Sequence, residues 1–176
     1  MKKKDYIYML SLFIITISLI FVLKGQHLFG NSIDWYNQHV MISDALRQAI
    51  RDEGTLFPTY LKNLMSGVNS YYFSYDGYLR PDVLLGALFI NIKMIDILSV
   101  YSISLMILTT ISCYLFLRNH LKERQLCFFI SLLVLCSSLF FQSHKQIMFV
   151  NVLPFLFLML KSVDHYFKDG NITGMI

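Results

Sequence analysis

Residues 97–117 run for 21 positions without a charged side chain. As a helix, such a run covers about 30 Å, the thickness of a bilayer's hydrocarbon core. A second charge-free run of 18 residues, 6–23, follows directly on the basic start MKKKD at 1–5. It ends in FVLKGQHLFG without a small-residue cleavage pattern, so it reads as a retained first transmembrane helix or signal anchor. Two shorter apolar runs, 126–141 and 147–160, come later. Flanking polar residues and a snorkelling Lys161 extend each to about 18 residues. These blocks predict an all-α, polytopic helical membrane protein with about four transmembrane helices. A large external loop, 24–96, separates the first two. The chain is 56% apolar and 15% charged, against about 45–50% and about 25% for a soluble domain. That balance argues against a soluble enzyme, a nucleic-acid binder and a disordered tail.

Lysine and arginine near the helix ends set the expected orientation. Lys2, Lys3 and Lys4 precede the first helix. Arg118, Lys122 and Arg124 lie in the 118–125 loop, and Lys161 and Lys168 lie in the 161–176 tail. With four spans all three regions fall on one side, which the rule makes cytoplasmic. The 24–96 loop and the QSHKQ turn at 142–146 are then external. The chain is expected to cross a cell membrane several times, with the N-terminus cytoplasmic. The positive charges read as topology signals, so no nucleic-acid partner is expected.

Cys113, Cys127 and Cys136 all fall in apolar runs without a C-x-x-C pair and read as buried packing thiols. No two histidines lie at i, i+4 spacing, and no metal motif is visible. Walker, GxGxxG and GxSxG sequences are also absent.

Any chemistry is expected in the external loop. Residues 35–53 read as an amphipathic helix: Ile42, Ala45, Leu46, Ala49 and Ile50 share one face, and Asn37, Asp44, Arg47, Gln48 and Arg51 take the other. Gly54 is its stop signal. Such a helix either lies in the membrane interface or packs within an external domain. Asp34, in GNSIDWYNQHV, has two compatible readings. It is an N-cap for this helix. It is also a carboxylate just outside the membrane, able to serve as general base for a hydroxyl acceptor or as a metal ligand beside a lipid phosphate.

The segment NSYYFSYDGYLRPD, 69–82, carries Tyr71, Tyr72, Phe73, Tyr75 and Tyr78. It reads as an interfacial aromatic belt or as a wall facing a sugar or isoprenoid. Asp76-Gly77 signals a turn. Arg80 either contacts a lipid phosphate, or is exposed, or pairs with Asp82. The ten-residue run at 83–92, VLLGALFINI, is too short to cross a bilayer as a helix. It is expected to be interfacial or the tilted start of helix two, with Pro81 in a first helical turn. His144 and Lys145, in the second external turn, are either solvated or cationic contacts to a pyrophosphate or lipid phosphate.

Several elements in order carry a resemblance. They are Gly30, Asp34 and Gln38 in a G-x-x-x-D-x-x-x-Q pattern, the DALRQAIRDEG helix, Gly67-Val68-Asn69, and the Tyr-rich run to Pro81 and VLLGALF. CYLFLR at 113–118 and FVNVLPFLFL at 149–158 follow. Together they resemble the GT-C type membrane glycosyltransferases and, more narrowly, the N-terminal part of the bacterial YfhO family. The resemblance implies transfer of a sugar from a polyprenyl-phosphate carrier to a cell-envelope polymer, such as lipoteichoic acid, on the external face. Asp34 is the only residue that matches the catalytic acidic position of the class. Gln38, His39, Tyr75, Arg80, His144 and Lys145 are the candidate substrate contacts. The cofactor is open between none and a divalent metal, with the lipid-linked sugar as donor; no residues are assigned as metal ligands. Partners implied are membrane lipid, the polyprenyl-phosphate sugar and the polymer acceptor. YfhO-like proteins are several times longer, so this chain is expected to be the front part of a larger protein and inactive alone. The second acidic residue that such enzymes often carry in a later external loop has no counterpart in QSHKQ.

The alternative is a non-catalytic four-helix membrane protein, acting as a scaffold or assembly partner, or a truncated gene product. Its helices would pack through Ser102, Ser104, Ser112, Ser131 and Ser137. A transporter is disfavoured, because the spans hold no acidic or basic residue for ion coupling, and no inverted repeat is visible within the four helices.

Overall fold

A computed structural model describes residues 3–24, 30–31, 33–137 and 147–170. The chain is mostly helical, and all-α in class apart from one minimal hairpin. Helix α1 is Lys3–Lys24. A π-helical turn, Trp35–Val40, runs directly into α2, Met41–Glu53. The strands β1 (Tyr60–Leu61) and β2 (Val68–Asn69) pair antiparallel, Tyr60 opposite Asn69 and Leu61 opposite Val68. A 3₁₀ helix, Ser70–Asp76, then leads to α3, Pro81–Leu88. The remaining helices are α4 (Met94–His120), α5 (Arg124–Leu135) and α6 (Ile147–Asp169).

Among the described residues, two helices are long and apolar enough to cross a membrane: Lys3–Val22 within α1, and α4. Both are apolar around their whole circumference, as a membrane span or a helix buried in a core is. Helix α4 is longer than the expected 97–117 span at both ends. Helix α5 has 12 residues, a rise of about 18 Å, and the end of the expected 126–141 run lies outside the described residues. Helix α6 continues past the expected span end at 160, so the first part of the predicted tail is helical to Asp169.

The chain divides into two compact units. In the first, residues 1–28, 102–144 and 148–176, α1 packs on α5. Leu12, Tyr114 and Cys127 form its centre, with Tyr8, Met9, Leu117 and Phe128 around them. The hydroxyls of Thr16 and Thr110 meet at 3.2 Å between α1 and α4. Ser102, Ser112 and Ser131 are buried as a small-residue packing seam requires, whereas Ser104 is exposed. Thr109, Ser112 and Ser131 donate back to carbonyls of their own helices, which satisfies hydroxyls where water is excluded. Cys113 and Cys127 are buried free thiols; Cys136, expected to be buried, is exposed. Its place at the C-terminal cap of α5 takes it off the packed face.

The second unit comprises residues 29–101 and 145–147. Its core is the apolar face of α2, where Ile42, Ala45, Leu46, Ala49 and Ile50 are all buried. Gly54, in the left-handed conformation with φ 65°, ends the helix as its sequence signals. Arg47, expected on the polar face, is buried. The reason lies in α3, which packs across α2 at Gly86. A Cβ there would sit 2.8 Å from Met94 Sδ and 2.9 Å from Arg47 Cδ. The bare glycine lets the arginine stem lie along α3, while its head donates to Asp44 Oδ1 at 2.7 Å and to the Ile92 carbonyl at 2.7 Å.

Pro81 occupies the first turn of α3, as expected. Residues 83–92, however, are not the tilted start of helix two. Helix α3 closes at Leu88, and a non-helical link over 89–93 precedes α4. Phe89 takes φ −109° and ψ 58°, which ends the helical ladder.

Candidate functional site

The second unit is built around the π-helical turn and what packs beneath it. Asn31 starts the helix. Its Oδ1 accepts from the backbone N–H groups of Ile33 (3.1 Å), Asp34 (2.6 Å) and Trp35 (3.0 Å). Asp34 is therefore not the N-cap. Its own dihedrals, φ −75° and ψ −44°, are already helical, and it makes no side-chain cap hydrogen bond. An N-cap residue instead has non-helical dihedrals and turns its side chain back onto the first turn. The short Asx side chain three residues earlier holds that place.

The turn is pinned from below by Trp35, which is fully buried. Its indole covers Gly30, where φ is 90° and a Cβ would collide with the ring. This gives the glycine of the G-x-x-x-D pattern a physical reason. Trp35 and His39 face inward, while Asp34 and Gln38 sit half-buried at the rim. π-Helical turns are rare and recur at functional sites, because the extra residue re-aims side chains relative to the helix that follows.

Beneath the turn lies a buried charged cluster. Arg80 is only 8% exposed and Asp82 is fully buried. The guanidinium grips Asp82 in a two-pronged bond, Nε to Oδ1 at 2.8 Å and Nη2 to Oδ2 at 2.7 Å. Its Nη1 donates to Asp76 Oδ1 and to the Asp76 carbonyl, both at 2.9 Å. Nη2 also donates to Ser43 Oγ on α2. His39 Nδ1 lies 3.4 Å from Asp76 Oδ1. Burial pulls the Arg80 pKa down, but the hydrogen bonds and charges of Asp82 and Asp76 outweigh it and hold the group above its ordinary value. The cluster thus ties the π turn (His39), α2 (Ser43), the 3₁₀ helix (Asp76) and α3 (Asp82) to one cation.

The tyrosine segment is held at both ends. Asn69 Oδ1 caps it by accepting from Tyr71 N–H at 2.9 Å. Ser70 Oγ donates to the Pro58 carbonyl and meets Tyr78 Oη at 2.8 Å. Gly77, φ 89°, makes the expected turn. Tyr71 and Tyr72, at 75% and 71%, and Tyr75, at 54%, remain exposed. Tyr75 Oη accepts from Gln38 Nε2 at 3.2 Å.

The fold therefore gathers Asp34, Gln38, His39, Tyr75 and Arg80 into one unit. Arg80 is buried, not exposed, and it pairs with Asp82, one of its sequence readings. His144 and Lys145 lie outside the described residues. Sequence reasoning passed over Asn31 and Ser43, and read Asp76 as a turn signal without its pairing to Arg80, though Asn31 precedes Asp34 at a spacing that local capping signals cover. Among the described residues, no three His, Cys, Asp or Glu side chains converge to hold a metal ion. Asp76 and Asp82 fit poorly as metal ligands, because the Arg80 guanidinium fills the place between them. Comparison of the chain with protein-family models, with curated proteins and with solved structures gave no match.

Proposed function

We propose that the chain is the N-terminal portion of a GT-C type membrane glycosyltransferase of the YfhO kind, moving a sugar from a polyprenyl-phosphate carrier to an envelope polymer outside the membrane. The observation that carries this reading is that the π turn, anchored by buried Trp35, sets Asp34 and Gln38 half-buried at one rim, where Gln38 Nε2 donates to Tyr75 Oη at 3.2 Å. A general base needs such fixed placement. In this reading Asp34 takes the proton from the acceptor hydroxyl as that oxygen attacks the anomeric carbon, and the bond from that carbon to the carrier's phosphate oxygen breaks, so that polyprenyl phosphate leaves with the electron pair. The Gln38–Tyr75 pair offers hydrogen bonds to sugar hydroxyls beside it, and the exposed Tyr71 and Tyr72 rings supply apolar faces on which a sugar or isoprenoid packs. The Arg80 cluster holds the elements in register and keeps its own charge away from substrate.

The membrane part of the proposal is four spans with the N-terminus cytoplasmic. The two apolar helices α1 and α4, on either side of the second unit in sequence, support it. Two experiments test the proposal. Asp34→Asn in the full-length gene product should abolish envelope glycosylation while membrane insertion persists; undiminished glycosylation would remove Asp34 from the chemistry. Single cysteines at exposed Met65 or Tyr72, in a background with Cys136 replaced by serine, should react with an impermeant reagent on intact cells. Labelling only after lysis would invert the topology.

A further inference from the structure

A second polar site lies in the first unit, far in sequence from the loop chemistry. Asp5, in the first turn of α1, is buried. Its Oδ1 accepts from Tyr114 Oη at 3.1 Å, from Arg118 Nε at 3.1 Å and from Arg124 Nε at 2.9 Å. Two guanidinium groups thus converge on one carboxylate, and positive charge is left in excess.

Beside this knot is a cleft of about 220 Å³, lined by Asp5, Tyr114, Leu115, Arg118, Asn119 and Lys161. Lys161, half-buried on α6, makes no hydrogen bond or ion pair among the described residues. Three backbone carbonyls at and just after the end of α4, which would repel an anion, are covered. Asn119 O accepts from Lys168 Nζ at 3.2 Å, and Arg118 Nη1 donates to the carbonyls of Leu121 and Lys122. A half-buried ammonium lining a cleft with surplus positive charge favours an anion there. The cleft is smaller than the about 300 Å³ where drug-sized pockets begin, which suits a headgroup-sized anion. Its level also matters: the apolar run of α1 starts at Tyr6, and that of α4 ends at Leu117. Both runs stop where a bilayer's hydrocarbon gives way to its headgroups.

We infer that this cleft is a phosphate-group site, held by Lys161 with Arg118 behind it, for the headgroup of an anionic phospholipid at the membrane surface. The placement at that surface rests on the membrane-spanning reading above; the charge and the cleft do not.

The test uses the whole chain purified in mild detergent. Retention of phosphatidylglycerol and of phosphatidylcholine is measured by native mass spectrometry, and stabilisation by inorganic phosphate by thermal shift. The wild type should prefer phosphatidylglycerol, and Lys161→Gln should lower that preference roughly five-fold. Lys161→Arg should keep it, as should Lys122→Gln at an exposed loop lysine outside the cleft. Equal preference in wild type and Lys161→Gln, or an equal loss in Lys122→Gln, overturns the site. Stabilisation by both phosphatidylglycerol and inorganic phosphate supports recognition of the phosphate itself; an effect of the lipid alone supports a lipid-borne phosphodiester. No effect of either overturns the inference. Carbonate washing of membranes keeps the two readings apart. A chain released by the wash fails the spanning reading. A retained chain with unchanged lipid preference in Lys161→Gln fails only this one.

Discussion

Replacing Arg80 by methionine is the sharpest probe of the second unit. Methionine keeps the apolar stem and removes the fork. Five donor contacts vanish: two to Asp82, two to Asp76 and one to Ser43. More important, the carboxylates of Asp76 and Asp82, both with fully buried side chains, lose their cation. Breaking a buried ion pair from one side costs about 3–5 kcal/mol, because the remaining charge is left without compensation. A domain's whole stability is about 5–15 kcal/mol, so the unit should open far more often. Amide exchange of α2 core residues such as Leu46 and Ile50 should accelerate by roughly two to nearly four powers of ten. The assay is hydrogen–deuterium exchange on the whole chain in detergent, with α4 amides at 105–114 as internal reference. Adding Asp76→Asn and Asp82→Asn to Arg80→Met should restore most of the protection, since the uncompensated charge is then gone. Wild-type protection in Arg80→Met would refute the reasoning outright. A triple variant as unstable as the single one would show that shape, not charge, sets the cost.

Other expectations follow from local geometry. Asn31→Ala should destabilise the start of the π turn by about 1 kcal/mol and speed amide exchange at Ile33, Asp34 and Trp35, whereas Asp34→Ala should leave those amides protected. Gly86→Ala should cost about 1–3 kcal/mol through overpacking against Met94 and Arg47, read as a lowered melting temperature. The backbone N–H of Thr59 holds the Glu53 carboxylate below its ordinary value of 4.5; desolvation opposes it, and the N–H of Tyr60, the Thr59 hydroxyl and the Lys62 charge assist. A depressed carboxylate stabilises the fold above its unfolded pKa and loses that contribution as pH falls through the folded one. The 54–60 turn should therefore loosen only below about pH 4.5, measured as intrinsic-rate-corrected exchange at Thr59 and Tyr60. Glu53→Gln should abolish that pH dependence.

Features that depend on near neighbours could be read from the chain alone. Long charge-free runs demand apolar helices whatever surrounds them, and α1 and α4 are those helices. The 3.6-residue spacing of Ile42, Ala45, Leu46, Ala49 and Ile50 marks one face, and that face is the core. Gly54, Asp76-Gly77 and Pro81 act within a few residues of themselves, so their stops, turn and start stand where the local pattern puts them. Burial of charge was not readable in this way. Arg47 and Arg80 sit in polar surroundings in sequence, and only the crossing of α3 over α2 at Gly86, and the convergence of four elements on Arg80, take them out of water. The capping of the helix by Asn31 rather than Asp34 turned on backbone dihedrals that both residue types accept. Whether a helix turn is α or π changes by one residue in the ladder, a difference too small for residue spacing to show. Desolvation is a property of packing, and packing joins residues that the chain keeps far apart.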